Sequence, residues 1–82
     1  MAKVVIPAGL SKQYTGGKAE FKIDASTVRA VIRKLDAEYP GIGRAIEIDM
    51  AVAVDNEIYQ DPLLEPVKPE SEVYFLPRIG GG

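Results

Sequence analysis

The chain has neither cysteine nor histidine among its 82 residues, so whatever it folds into must be held by apolar burial and hydrogen bonding alone. Disulfides, thiolate metal sites, zinc clusters and cysteine or histidine nucleophiles are excluded by that inventory. A chain this short supports one core, and without staples that core cannot be divided. An apolar share of 46% beside 27% charged residues lies in the range of packed domains and outside that of disordered chains. Ten basic and twelve acidic residues are scattered along the sequence, and no basic stripe exists to neutralise phosphates. Nucleic acid is therefore not an expected partner. No apolar run approaches the roughly 20 residues that span a bilayer, and the N-terminus carries no charged leader before an apolar stretch. These features predict a cytoplasmic protein that engages no membrane, a monomer when free.

Lys3 to Ile6 is a β-branched run ended by Pro7, and a second run covers Phe21 to Ile23. Between these two strands, Ala8 to Gly17 reads as a loop, either mobile or held by Leu10 and Tyr14 folding back onto the sheet. Ser26 and Thr27 offer caps to a helix from about Thr27 to Glu38, whose Val28, Val31, Ile32, Leu35 and Tyr39 recur at helical spacing until Pro40-Gly41 stops it. From Ile46 to Val54, apolar Ile46, Ile48, Met50, Val52 and Val54 alternate with other residues, which predicts a strand with one face inward. Asp55-Asn56 suits a tight hairpin turn, with Glu57 to Gln60 returning beside that strand. Pro62, Pro66 and Pro69 keep the next stretch irregular, and Glu72 to Leu76 forms the last strand. One main helix across a mixed sheet of four or five strands buries all these apolar faces, an α+β fold of two layers.

The end of the chain, Pro77-Arg78-Ile79-Gly80-Gly81-Gly82, is the most informative segment. Pro77 lacks a ladder donor and ends the last strand, and glycines without a Cβ can thread a narrow channel and bring the terminal carboxylate to another protein's active site. Other features carry bland readings. The helix stripe is core. Asp49, Asp55 and Asp61 fit no calcium loop and read as a solvated face. Gly16-Gly17 lacks the lysine and following Ser/Thr of a phosphate loop and reads as a turn.

The element order, the Ser-Thr-Val helix start at Ser26, the Tyr39-Pro40-Gly41 helix end and the closing Val73-Tyr74-Phe75-Leu76-Pro77 running into glycines resemble the MoaD/ThiS family of ubiquitin-like sulfur carriers along essentially the whole chain. Ile6-Pro7 and Thr15-Gly16-Gly17 further resemble CysO-like carriers of cysteine biosynthesis. The resemblance implies a β-grasp domain over residues 1–77 and a flexible glycine tail over 78–82. It also implies a carrier that is not itself an enzyme and binds no cofactor or metal. A partner adenylating enzyme of the ubiquitin-activating type, using ATP and magnesium, would activate the Gly82 carboxyl. A sulfur donor would convert it to a thiocarboxylate, and a downstream synthase would accept the sulfur for molybdopterin, thiamine (thiazole), cysteine or a related product. Gly80 stands where many members carry Ala or Ser, and the stretch from Leu63 to Pro69 is longer than the usual turn.

If Val73 and Phe75 face the helix, as that fold implies, Tyr74 and Leu76 face out. With Val5 and Ile58 they would form an apolar docking surface for the activating enzyme beside the tail, with Arg78 as an ion-pair anchor. Isolated surface hydrophobes and a frayed terminus are the bland counterparts of these two readings. Two further functions share the sequence features: a protein modifier joined through Gly82 to target lysines, and a β-grasp binding module without tail chemistry.

Overall fold

The computed structural model describes residues 1–59 and 62–78. Five strands form one mixed sheet: β1 (Ala2–Val5), β2 (Glu20–Ile23), β3 (Met50–Val54), β4 (Glu57–Tyr59) and β5 (Glu72–Pro77), in the spatial order β2-β1-β5-β3-β4. The central pair β1 and β5 is parallel, and the other three pairings are antiparallel. Three helices complete the fold: α1 (Ala8–Tyr14), α2 (Val28–Glu38) and α3 (Ile42–Asp49). This is the mixed α+β β-grasp architecture expected from the sequence, with two helices added to the one anticipated.

Helix α2 begins where its cap dictates. Thr27 is extended, its Oγ1 accepts from the Ala30 N–H at 3.2 Å, and Val28, Val31, Ile32 and Leu35 turn one buried stripe onto the sheet. The sheet answers with the inward members of each alternating strand, Val4, Val52, Val73 and Phe75, all at most 1% exposed. Burial of each such side chain stabilises by about 1.5–3 kcal/mol, which is the adhesive a chain without disulfides depends on. The β3–β4 hairpin turns on Asp55 (φ 50°) and Asn56 (φ 72°), the left-handed pair that matches the strand twist, as their sequence implied.

Two segments differ from the sequence reading. Residues 8–17 do not form a loop throughout. Ala8–Tyr14 is helical, Ser11 is tied back through Oγ to the Ala8 carbonyl, and Leu10 is buried while Tyr14 packs on the core. The second alternative, inward-folding Leu10 and Tyr14, is the one realised, on a short helix rather than an irregular strand of chain. Gly16 and Gly17, both at positive φ, end it, with the Gly17 N–H donating to the Ser11 carbonyl.

The second difference is larger. Residues expected as the first half of a strand, Ile46 to Asp49, belong to α3, and β3 starts only at Met50. The apolar alternation there is a coincidence of two periodicities. Ile42 and Ile46, four apart, are both buried, whereas Ile48 is 57% exposed and faces away. Helical geometry wins because Asp36 caps the segment from the preceding helix. Its Oδ1 accepts from the backbone N–H groups of Gly41 and Gly43, each at 3.0 Å, two donors that open the new helix. Gly41 supplies the φ of 100° that reverses the chain in front of it.

The proline-rich stretch that follows β4 is irregular but not loose. The Val28 and Arg29 N–H groups, which begin α2, donate to the carbonyls of Glu65 and Leu63, and Val67 N–H donates to Ser26. A single bridge pairs Thr27 with Pro66. The segment thus serves as the outer cap of α2, satisfying backbone donors that a helix start otherwise leaves to water. Among the described residues no helix is long and apolar enough to cross a membrane.

Candidate functional site

The outward residues of the sheet fall into register. Val5 on β1 lies opposite Tyr74 on β5, Tyr74 opposite Ala53 on β3, and Ala53 opposite Ile58 on β4. Facing residues on adjacent strands share a sheet face at roughly 5 Å spacing, so Val5, Tyr74, Ala53 and Ile58 form one row across four strands. Leu76, opposite Ala51, stands one row nearer the chain end. Exposure follows the alternation: Ile58 is 63% and Leu76 36% exposed, and Tyr74 and Val5 are half-buried by their neighbours. The four apolar residues singled out from the sequence thus share one face, opposite the helices. Polar residues flank it, with Glu20 paired to Val5 and a row of Lys22, Lys3 and Glu72 beyond. Lys3 and Glu20 make the one ion pair among the described residues, at 3.9 Å between exposed side chains, worth at most about 1 kcal/mol.

The root of the tail is fixed from two directions. Pro77 pairs with Met50, the Arg78 N–H donates to the Asp49 carbonyl at 2.9 Å, and Arg78 Nε donates to the Met50 carbonyl at 3.1 Å. Arg78, placed by the sequence at the start of a tail, is therefore hydrogen-bonded to the junction of α3 and β3. Gly80, Gly81 and Gly82, the residues that carry the expected chemistry, lie outside the described residues.

On the helix side of the sheet, next to Arg78, is a hollow of about 130 Å³ with Ile46 and Val52 in its floor, Met50 and Leu63 in its walls and Glu47 and Arg78 at its rim. Sequence reasoning missed it, because with Ile46 to Asp49 read as strand the α3–β3 junction does not exist. The Ile42/Ile46 spacing behind Gly41 was the signal that could have found it.

Two groups are electrostatically distinctive, Asp55 in the turn after β3 and Tyr59 at the end of β4, opposite Val52. The Asp55 carboxylate accepts from the Glu72 N–H and from Ser71 Oγ, each at 2.9 Å, and these bonds hold its pKa below the ordinary value of 3.8. Tyr59 donates its hydroxyl to Glu57 Oε2 at 2.9 Å, which, with burial and the negative charge nearby, pushes its pKa up to about 12. Both are turn-and-edge fastenings of the sheet. Asp49 and Asp55 sit at opposite ends of β3, so they form no ligand set, and Asp61 lies outside the described residues.

A model of the ThiS family matches residues 5–82. Among solved structures, a chain of the Amycolatopsis orientalis BexX/CysO complex superposes with a TM-score of 0.85 at 24% identity, covering all of both chains. CysO of Mycobacterium tuberculosis, described as an antigen, gives 0.84 at 24% identity, over 96% of this chain and all of that one. The small archaeal modifier protein 1 of Methanosarcina acetivorans gives 0.79 at 21% identity, over 99% of this chain and 95% of that one. At these identities the likeness establishes the shared fold. No curated protein matches the chain significantly. The family match takes in everything but the first four residues, the glycine end included, and the chain belongs to the ThiS family.

Proposed function

We propose that the chain is a sulfur carrier whose Gly82 carboxyl is the reacting group. The reading rests chiefly on one observation: the family match runs through residue 82, over a terminus of three glycines set on a root that β5 and β3 hold. A carboxylate is a poor electrophile until it bears a good leaving group. An adenylating partner would use magnesium-bound ATP to form the acyl-adenylate and release pyrophosphate. Attack by a hydrosulfide-equivalent donor on that carbonyl carbon would then expel AMP and leave a thiocarboxylate. Every catalytic group belongs to the partners, so a chain without cysteine or histidine loses nothing. The face carrying Val5, Tyr74, Ile58 and Leu76 would dock the activating enzyme, since exposed Ile58 and Leu76 extend the half-buried Val5 and Tyr74 into one apolar face that a partner could cover.

In the Amycolatopsis structure a CysO stands in complex with a second protein, BexX, and a chain of the same fold is suited to an encounter of that kind. The fold is equally that of an archaeal modifier, which favours a second reading in which the same acyl-adenylate ends in an isopeptide bond to a target lysine. Intact mass measurement of the protein purified from its own host separates the two. Exchange of one terminal oxygen for sulfur adds about 16 Da to the free chain, whereas a modifier appears as ladders of conjugates. Unmodified chain alone, with no pyrophosphate exchange by any activating enzyme of the host, would defeat both readings.

A further inference from the structure

The hollow beside Arg78 has no part in presenting the outer face, yet its features are those of a receptor for one side chain. Its floor and walls are apolar, and its 130 Å³ is close to the roughly 150 Å³ that admits a benzene-sized group into a protein interior. Its walls are held in place: the Leu63 carbonyl accepts from Arg29 N–H at 2.9 Å, Glu65 N–H donates to Pro62 at 2.8 Å, and Met50 accepts from Arg78. Arg78 uses Nε for that bond, and a guanidinium has four further N–H donors on its two Nη atoms. No carboxylate among the described residues forms an ion pair with it.

We infer that this hollow is a second docking site, which takes an apolar side chain neighbouring a carboxylate on the protein that receives the tail. The apolar group fills the space over Ile46 and Val52, and the carboxylate meets the Arg78 guanidinium, whose planar fork suits it better than a lysine would. The choice of occupant rests on the carrier reading. If the Gly82 carboxyl reacts, only four residues separate it from Arg78, a reach of at most about 14 Å when extended. An active site closing on that carboxyl must bring its own surface that near, and a standard interface of about 800 Å² per partner extends well beyond the tail it grips.

The test needs no partner, so its failure is distinct from failure of the carrier reading. The ¹⁵N-labelled full chain is titrated with 4-methylpentanoate, an apolar group bearing a carboxylate, and in parallel with 4-methylpentanamide. Fragments of this size bind in the millimolar range. Saturable shifts at Ile46, Glu47, Met50, Leu63 and Arg78, at least fivefold weaker with the amide and with the Arg78→Gln variant, are the expected result. Equal affinity for acid and amide overturns the carboxylate recognition. Shifts centred on Tyr74 and Ile58, or none that saturate, overturn the site.

Discussion

Asp36 is exposed enough to look dispensable, yet one of its oxygens opens α3, and its removal tests whether that helix is a consequence of the cap. Asp36→Ala deletes the acceptor of two backbone N–H bonds of 3.0 Å, from Gly41 and Gly43. Loss of a capping side chain costs about 0.5–2 kcal/mol, and hydrogen bonds to a charged acceptor about 1.5–3 kcal/mol each when buried. The Gly41 donor is exposed and water will replace its partner, whereas Gly43 is buried and has less access to water. The second loss therefore dominates, and we expect a net cost of about 1.5–2 kcal/mol. For a domain of this size that lowers Tm by roughly 6–16 °C. Asp36→Asn keeps a side-chain carbonyl in the same place and is expected to retain at least half of what the alanine loses, about 1 kcal/mol. Thermal unfolding followed by circular dichroism reads both, and amide exchange shows where the loss falls: α3 should open before the sheet. A Tm for Asp36→Ala within about 2 °C of the parent, or an Asp36→Asn variant as damaged as the alanine, would refute the reasoning. In either case the Ile42/Ile46 burial alone would have to account for the helix.

Gly41→Ala forces a Cβ onto a residue at φ 100° and within 3.2 Å of the Tyr14 ring, so we expect a destabilisation of about 1–3 kcal/mol, read as a shift of the urea midpoint at unchanged m. Leu76→Thr and Ile58→Thr keep strand propensity while removing apolar surface. Each should weaken the activating enzyme's apparent affinity about 5- to 100-fold in pyrophosphate exchange with Tm nearly constant, and unaltered exchange kinetics would remove the outer face from the docking surface. Because the pKa of Asp55 is lowered in the folded state, its hydrogen bonds contribute stability that is fully present above pH 3.8 and lost as pH falls through the folded value. Asp55→Asn should therefore flatten the acid limb of the stability–pH curve, and an unchanged acid limb would contradict the assignment. Tyr59 is shifted the other way, so its contribution is present below pH 10.0 and lost as pH rises through about 12; ultraviolet difference titration against the Tyr59→Phe variant should show this residue ionising late, and the Glu57→Gln variant should bring it back.

What the sequence made legible was whatever one local signal determines. The α2 cap at Thr27, the hairpin at Asp55-Asn56 and the in-out alternation of Val73 to Leu76 each depend on a few adjacent residues, and each stands where it was expected. The outer row of Val5, Tyr74 and Ile58 was legible only once the order of strands was supposed, because register across a sheet is not written in any one strand. The α3 segment was hidden because Ile46, Ile48 and Met50 satisfy a period of two by accident, and the residue that decides against it, Asp36, lies ten positions before Ile46 on another helix. Leu10 and Tyr14 were suspected of turning inward, but the local sequence offered no cap beyond Pro7 to announce α1.

Placing the tail on β5 has a mechanical consequence. Strands at a sheet edge fray at little free-energy cost, because one side of their ladder is open and few contacts hold them. β5 is the middle strand of five, bonded to β1 on one side and β3 on the other, with Val73 and Phe75 sealed beneath it. Its last residue is paired to Met50, and Arg78 adds two bonds to the same junction. Opening β5 therefore requires breaking the centre of the sheet, whereas Arg78, one residue beyond the strand, is held through the Asp49 and Met50 carbonyls and so depends on the α3–β3 junction as well. On the proposed carrier reading, a partner that acts on the Gly82 carboxyl would benefit from a fixed root, since a defined starting point raises the effective concentration of a tethered group. On the same reading α3 would bear on activation without any of its residues touching the reacting group. It supplies the Asp49 carbonyl and leads into Met50, the two acceptors that hold Arg78. Loosening the helix through Asp36 should accordingly raise the apparent KM for the carrier in pyrophosphate exchange even at temperatures where the sheet remains folded. An Asp36→Ala protein that is less stable but activated with unchanged KM would show that the root is held by β5 alone.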